Sequence, residues 1–326
     1  VMNIAAHAFL GPEFRQRLGS DFFTDFRHFS GGMEPILPLW LPLPKLLKSQ
    51  KAKKKLHRVL GGLIQERRAQ PAEPVDFLQT LIEARFSDGT PIDEEMIINL
   101  ILLLVWAGHE TTAGHISWAL IDLLEHPDYL QTVTDGQDAL IGDCQELTMD
   151  DVRGLPRIDW AVKETERLHP VAYILMRTAA EDLEIGGFQV SKGTQVFAAP
   201  SVSHRMPDVF SEPDRYVPER FSPDRSESRN QYSLIGFGGG VHRCTGVNFA
   251  YLEMKVALTL LLQHYEFSLL NTNPQPVSGA RTKWPASPCW VRYQHRHGVP
   301  KVERHISTET DTYQNGAPAG QCPVQH

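Results

Sequence analysis

The apolar positions of the chain fall into helical periods over its first half and into short alternating runs over part of its second. The longest unbroken apolar run, MIINLILLLVWAG from Met96 to Gly108, lies in a segment that predicts one long helix from about Glu94 to Glu125, stopping before His126-Pro127. The run itself is too short to span a bilayer and predicts a core helix. Upstream, Val1 to about Arg68 follows a helical pattern broken by PILPLWLPLP, Pro35 to Pro44, where four prolines exclude a helix interior and predict a stiff apolar loop. The next helix opens on the basic run KSQKAKKK, Lys48 to Lys55. Its default reading is a solvated face. The sharper one rests the apolar loop and basic helix on an anionic membrane, or sets them beside a substrate entrance. Gln70 to Pro74 is a linker, Asp76 to Phe86 a short helix, and SDGTPIDEE a turn leading into the long helix. Further helices are expected at about Asp128 to Gly142 and at Trp160 to Leu168, the latter ending at His169-Pro170.

Beyond Pro170 the pattern changes. Val171 to Ala180, Leu183 to Val190 and Thr194 to Ala199 are β-rich or alternating, with Gly186-Gly187 as a hairpin turn. Met206 to Gln231 predicts a meandering loop, Phe249 to His264 a helix, and Thr272 to Arg296 short strands. Thr308 to His326 is polar and predicts a disordered tail. The sum is a mainly α protein with a minor β part, one domain over 1–300 and a polar C-terminal tail over 301–326.

Composition narrows the function. With 41% hydrophobic and 22% charged residues the chain is an ordinary globular protein, and its net charge of -7 argues against a nucleic-acid partner. Cys144, Cys244, Cys289 and Cys322 are far apart with no CxxC spacing, which excludes common zinc ribbons and suits a reducing compartment. The start, VMNIAAHAFLGPEFR, has neither a basic n-region nor a cleavage site and opens as though inside a helix, so a missing N-terminal portion is expected. A cytoplasmic location is expected, with peripheral membrane association as the alternative.

The chemistry centres on FGGGVHRCTGVNFA, Phe237 to Ala250. Glycines at 238, 239, 240 and 246 let backbone approach something flat or bulky. The apolar run after Gly246 predicts a helix beginning just past Cys244, whose N-terminal N–H groups favour an anionic sulfur. A thiolate with no second protein ligand nearby suits the axial position of a haem iron. A second polar feature, WAGHETTAG from Trp106 to Gly114, interrupts the apolar helix. Ala107, Gly108 and Thr111 share one face there, and the Thr111 hydroxyl can bond back to the Ala107 carbonyl and loosen the helix. In KETERLHP, Glu164 and Arg167 sit one turn apart and can pair.

These residues resemble the cytochrome P450 monooxygenases. The spacing Phe237-Gly238-x-Gly240-x-His242-x-Cys244-x-Gly246 is similar to the family's haem-binding signature, and Ala107-Gly108-x-Glu110-Thr111 to its oxygen-activating segment. Glu164-x-x-Arg167, with Arg220 of PERF, resembles its buried structural triad. The resemblance implies a P450 fold lacking its N-terminal portion, haem b as cofactor and Cys244 as iron ligand. It implies further that Glu110 and Thr111 deliver protons, and that His242 and Arg177 meet the haem propionates. Leu104, Val105, Tyr173, Ile174, Leu175 and Met176 are implied to line a hydrophobic substrate, with Ala107 and Gly108 leaving room for cofactor and oxygen.

The expected reaction inserts one atom of O2 into a lipid-like molecule (sterol, fatty acid or terpenoid), with electrons from a ferredoxin or flavoprotein reductase meeting Lys163, Arg243 and Lys255. HPVAYILMRTA and SPCWVRYQHR are similar to bacterial sterol 14α-demethylases, which usually carry histidine where Glu110 stands. His109 faces substrate or solvent. A peroxygenase, a non-enzymatic haem-thiolate binder and an inactive truncated fragment are the alternatives.

Overall fold

The computed structural model describes residues 1–11, 19–32, 42–141, 147–225, 227, 230, 232–270, 273–277 and 282–296. Most of the proline-rich loop, part of the meander, Cys144 and the C-terminal tail with Cys322 lie outside them. The chain divides into two compact units, Val1–Glu110 and Thr111–His326.

The first unit is helical. Helices α1 (Met2–Leu10), α2 (Gly19–Gly31), α3 (Pro44–Ala69) and α4 (Phe77–Glu83) precede α5 (Glu94–Glu125), whose first half belongs to this unit. Asp76 caps α4 by accepting from the Gln79 N–H at 2.8 Å and also pairs with Arg67 of α3 at 2.8 Å. The helices bury Leu10, Phe26, Leu60, Ile64, Leu78 and Ile101 in one core. Helix α5 has the length and hydropathy of a membrane span, more than its 13-residue apolar run alone suggests. Ile97, Ile101 and Val105 are nonetheless buried in the first core, and Ala119 and Leu123 in the second. On α3 the lysines of the basic run are exposed while Leu46, Ala52 and Leu56 point inward, which is the arrangement of a solvated helix face.

The second unit continues α5 and adds α6 (Pro127–Ile141), α7 (Met149–Arg153), α8 (Pro156–Leu168), the four-residue α9 (Pro200–Ser203) and α10 (Val247–His264). Three antiparallel pairs supply the minor β part: β1 (Leu175–Thr178) with β4 (Gln195–Ala198), β2 (Leu183–Ile185) with β3 (Phe188–Val190), and β5 (Tyr265–Leu269) with β6 (Val291–His295). Gly186 and Gly187, with φ of 57° and 85°, make the β2–β3 turn as expected. Ile158, Ala161 and Val162 of α8 pack on Met254, Leu258 and Leu262 of α10.

Several bounds differ from the sequence reading. Helix α8 begins at Pro156 rather than Trp160, because proline is well suited to a first helical turn. The strand expected over Val171–Ala180 pairs only from Leu175 to Thr178, where β4 offers partners. Strand β5 has no counterpart in that reading.

Candidate haem-thiolate site

The loop ahead of α10 is shaped by glycine. Gly238 has φ of 74° and Gly240 of 60°, and a Cβ on Gly238 would lie 3.0 Å from the His242 carbonyl oxygen, so both conformation and space demand glycine there. Residues Gly240–His242 form one 3-10 turn, and Gly246 is the N-cap of α10. The Cys244 N–H donates to the Phe237 carbonyl at 2.8 Å, which closes the loop and leaves Cys244 exposed at the N-terminal end of the helix. His242 and Arg243 are exposed beside it, and Val241 is 96% exposed. The Phe237 ring anchors the loop from below, 5.1 Å from Tyr251 and stacked 6.5 Å from His115.

The framework beneath the loop is a buried ionic network. Glu164 and Arg167 are fully buried and pair through two bonds of 2.8 Å. Arg167 also donates to the carbonyls of His204 at 3.0 Å, Pro213 at 2.6 Å and Arg215 at 2.9 Å. Arg220, on the 3-10 turn Pro218–Phe221, reaches Glu164 at 3.3 Å, Glu227 at 2.7 Å and the Glu212 carbonyl at 2.8 Å. Glu164 accepts from the Val217 N–H at 2.8 Å as well. With so many partners these charges are compensated, and the network ties α8 to the meander rather than sitting as a solvated helix-surface pair.

Two residues absent from the sequence reading join α8 to the loop. His204 accepts the Ile235 N–H on Nε2 at 2.9 Å and lies 3.3 Å from the Arg167 carbonyl on Nδ1, which fixes a neutral imidazole protonated at Nδ1. Burial first, with the Arg167 charge opposing protonation, lowers its pKa to about 4, consistent with that neutral form. Glu166 is buried and accepts from the Tyr251 hydroxyl, and Gly236 sits so close that a Cβ there would lie 2.6 Å from the Glu166 side chain. Burial raises its pKa to about 7, against the lowering pull of Tyr251, the Gly236 N–H, Lys163 and the Phe237 N–H. The only signal for either residue is its polarity, and polarity alone does not announce burial.

That raised value has a consequence for stability. The contribution of Glu166 is fully present below its ordinary 4.5 and is lost as pH rises through about 7. Glu166→Gln, which stays neutral, will therefore lose less stability than the parent between about pH 5 and pH 8. Urea midpoints compared at the two ends of that window measure the difference, and parallel losses in both proteins would refute it.

On α5, Ala107 is exposed, Gly108, His109, Glu110 and Thr111 are half-buried, and Thr112, Gly114 and His115 are buried. Burial above all, with the Arg27 charge in the same sense, lowers the His109 pKa and favours a neutral imidazole. The structure holds these residues on one unbroken helix, with Ala107, Gly108 and Glu110 ending the first unit and Thr111 opening the second. Of the residues expected at a substrate, Val105 is packed in the first core and Leu104 is half-buried. Tyr173 and Leu175 are half-buried, while Ile174 and Met176 are 41% and 68% exposed. Arg177 is exposed on β1, and its guanidinium donates to the Met176 carbonyl at 2.8 Å. Lys163 and Lys255 both engage Asp159, at 2.7 and 3.3 Å, which offsets part of the charge expected for a redox partner.

Among the described residues no three His, Cys, Asp or Glu side chains group as donors for a metal ion. The loop's donor set, one exposed sulfur at a helix N-terminus above a glycine floor, fits an iron whose in-plane positions are filled by a porphyrin.

The "Cytochrome P450" family profile matches residues 16–284. A sterol 14alpha-demethylase of Mycolicibacterium vanbaalenii is 34% identical over 297 residues, covering 88% of this chain and 66% of the relative. A lanosterol 14-alpha demethylase of Mus musculus is 31% identical over 271 residues, covering 82% and 54%. The solved structure of a retinoic acid bound cyanobacterial CYP120A1 superposes with a TM-score of 0.82 at 32% identity, over 90% of this chain and 67% of that one. The chain thus spans just under two thirds of the length of the Mycolicibacterium relative. By this profile and these likenesses, the chain belongs to the cytochrome P450 family, whose cofactor is haem b.

Proposed function

We propose that the protein of which this chain is the greater part is a monooxygenase that inserts one atom of O2 into a hydrophobic, lipid-like substrate with electrons from a ferredoxin or flavoprotein. The observation that carries the reading is the exposed Cys244, held by its own N–H to Phe237 at the head of α10 in a chain of this family. When bound, haem b supplies the iron at which O2 is activated. Cys244 would hold the iron through its sulfur, and Phe237, Gly238 and Gly246 shape the loop around it. His242 and Arg177 offer cationic or hydrogen-bonding partners to the two propionates. Glu164, Arg167 and Arg220 hold α8 and the meander in register beneath the loop.

On α5, Ala107 and Gly108 present little side chain, and the Thr111 hydroxyl and Glu110 carboxyl hold and pass protons. Tyr173, Ile174, Leu175 and Met176 offer the substrate apolar and aromatic contacts. Arg243, exposed on the cysteine loop, is the cation best suited to an acidic redox partner, since Lys163 and Lys255 share Asp159. The exposed lysines of α3 support contact with an anionic membrane surface.

A sterol is the narrower substrate reading. The sterol demethylases among the relatives favour it, whereas Glu110 stands where bacterial members usually carry histidine. Incubation with sterols, fatty acids and terpenoids, each with O2 and a ferredoxin system, tests the function. Donor-dependent hydroxylated or demethylated product is expected, and no product from any class would contradict the reading. Thr111→Val, which removes the hydroxyl and keeps the shape, will lower product formation by about 100-fold or more. Turnover within about twofold of the parent would remove Thr111 from proton delivery.

A further inference from the structure

We infer that Glu166 and Tyr251 form a clamp that positions the Cys244 loop, acting on the sulfur through the backbone of Gly236 and Phe237. This rests on the reading of Cys244 as the functional sulfur. Glu166 extends from α8 and Tyr251 from the first turns of α10, and the tyrosine hydroxyl donates to the carboxyl between them. The same carboxyl lies against the backbone of Gly236. Phe237, next in the chain, accepts the Cys244 N–H on its carbonyl at 2.8 Å, so Gly236 and Phe237 together connect the carboxyl to the cysteine. The approach is close: a Cβ on Gly236 would lie 2.6 Å from the Glu166 side chain. Only glycine at 236 lets the backbone seat against the carboxyl. The Phe237 ring rests on the Tyr251 ring 5.1 Å away, which adds a packing contact to the polar one.

The clamp does not belong to the Glu164 network, which faces the meander. Glu164 and Arg167 bond to His204, Pro213, Arg215, Val217 and Arg220, whereas Glu166 turns to the cysteine loop and α10. Its setting is controlled by few charges. Lys163 of α8 faces Glu166 and lies 6.0 Å from the Tyr251 ring centroid. Asp159 of α8 and Arg243 of the loop act on the tyrosine with opposite signs. Lys255 of α10 is tied to Asp159. A buried carboxyl bonded to a tyrosine hydroxyl and pressed against a backbone glycine is costly to keep unless it fixes something. What it fixes is the entry to the loop.

The test reads the cysteine itself and needs no haem. In the full chain carrying Cys144→Ser, Cys289→Ser and Cys322→Ser, the rate of Cys244 alkylation by iodoacetamide reports how firmly the loop is held. Glu166→Ala is expected to change that rate by about five- to tenfold, the scale of losing one or two hydrogen bonds. Glu166→Gln, which keeps the shape and an acceptor, should return it to within about twofold of the parent. Tyr251→Phe should give a smaller change in the same direction, and it serves if Glu166→Ala fails to fold. Val133→Ala, a deletion in the core against which Phe237 and Tyr251 also pack, controls for simple destabilisation and should change the rate less than Glu166→Ala does.

Equal rates in the parent, Tyr251→Phe and any folded Glu166→Ala would overturn the inference, as would a change in Val133→Ala as large as that in Glu166→Ala. In the haem-loaded chain, the fraction of the reduced carbon monoxide complex showing the red-shifted thiolate band should fall in Glu166→Ala and recover in Glu166→Gln. A parent with no such band at all would defeat the proposed function, while the alkylation rates would still decide the clamp.

Discussion

Cys244→Ala will abolish product formation and remove the thiolate signature of the haem complex, while leaving the fold intact. The side chain is exposed and its loop is closed by backbone, through the Cys244 N–H to the Phe237 carbonyl. An alanine keeps that bond and vacates only the sulfur. The effect on turnover is therefore chemical, not a matter of folding. Cys244 is the residue that would hold the haem iron, and its thiolate would supply the electron donation that oxygen activation needs. Far-UV circular dichroism should match the parent. Turnover above about a hundredth of the parent rate would mean that the reaction does not run through this sulfur.

Glu164→Ala will destabilise the second unit strongly, and more than Arg220→Ala does. It leaves the buried guanidiniums of Arg167 and Arg220 without the carboxylate they share, and breaking a buried ion pair from one side costs about 3–5 kcal/mol. Whole domains are stable by only about 5–15 kcal/mol, so a loss of that size removes a large share of the margin. Arg220→Ala will cost less, because Glu164 keeps both bonds to Arg167 and the Val217 N–H. Urea unfolding gives the ranking. A Glu164→Ala midpoint equal to the parent's, or above that of Arg220→Ala, would show that the network is not the framework described here.

Elements fixed by local chemistry were legible in the sequence. The long α5, the Gly186-Gly187 hairpin and the helix after Gly246 each follow from a periodicity or a glycine that only one backbone conformation satisfies. Elements fixed by distant partners were not. Strand β5 continues directly from α10 and is a strand because β6, more than twenty residues later, pairs with it. The Glu164–Arg167 spacing permitted either a surface pair or a buried one, and Arg220 with the meander carbonyls decides for the buried one. Glu166 and His204 were illegible for the same reason. Their roles come from Gly236, Phe237, Tyr251 and Ile235, which the fold brings to them from elsewhere in the chain. The cysteine loop was the most legible feature, because its glycines, histidine and sulfur stand at fixed spacing within one short segment.

The most direct test of the central claim is the carbon monoxide difference spectrum of the reduced, haem-loaded chain beside that of Cys244→Ala. The account predicts the red-shifted thiolate band in the parent and its absence in the variant. A band retained in Cys244→Ala, or a haem-loaded parent that shows none, would contradict it.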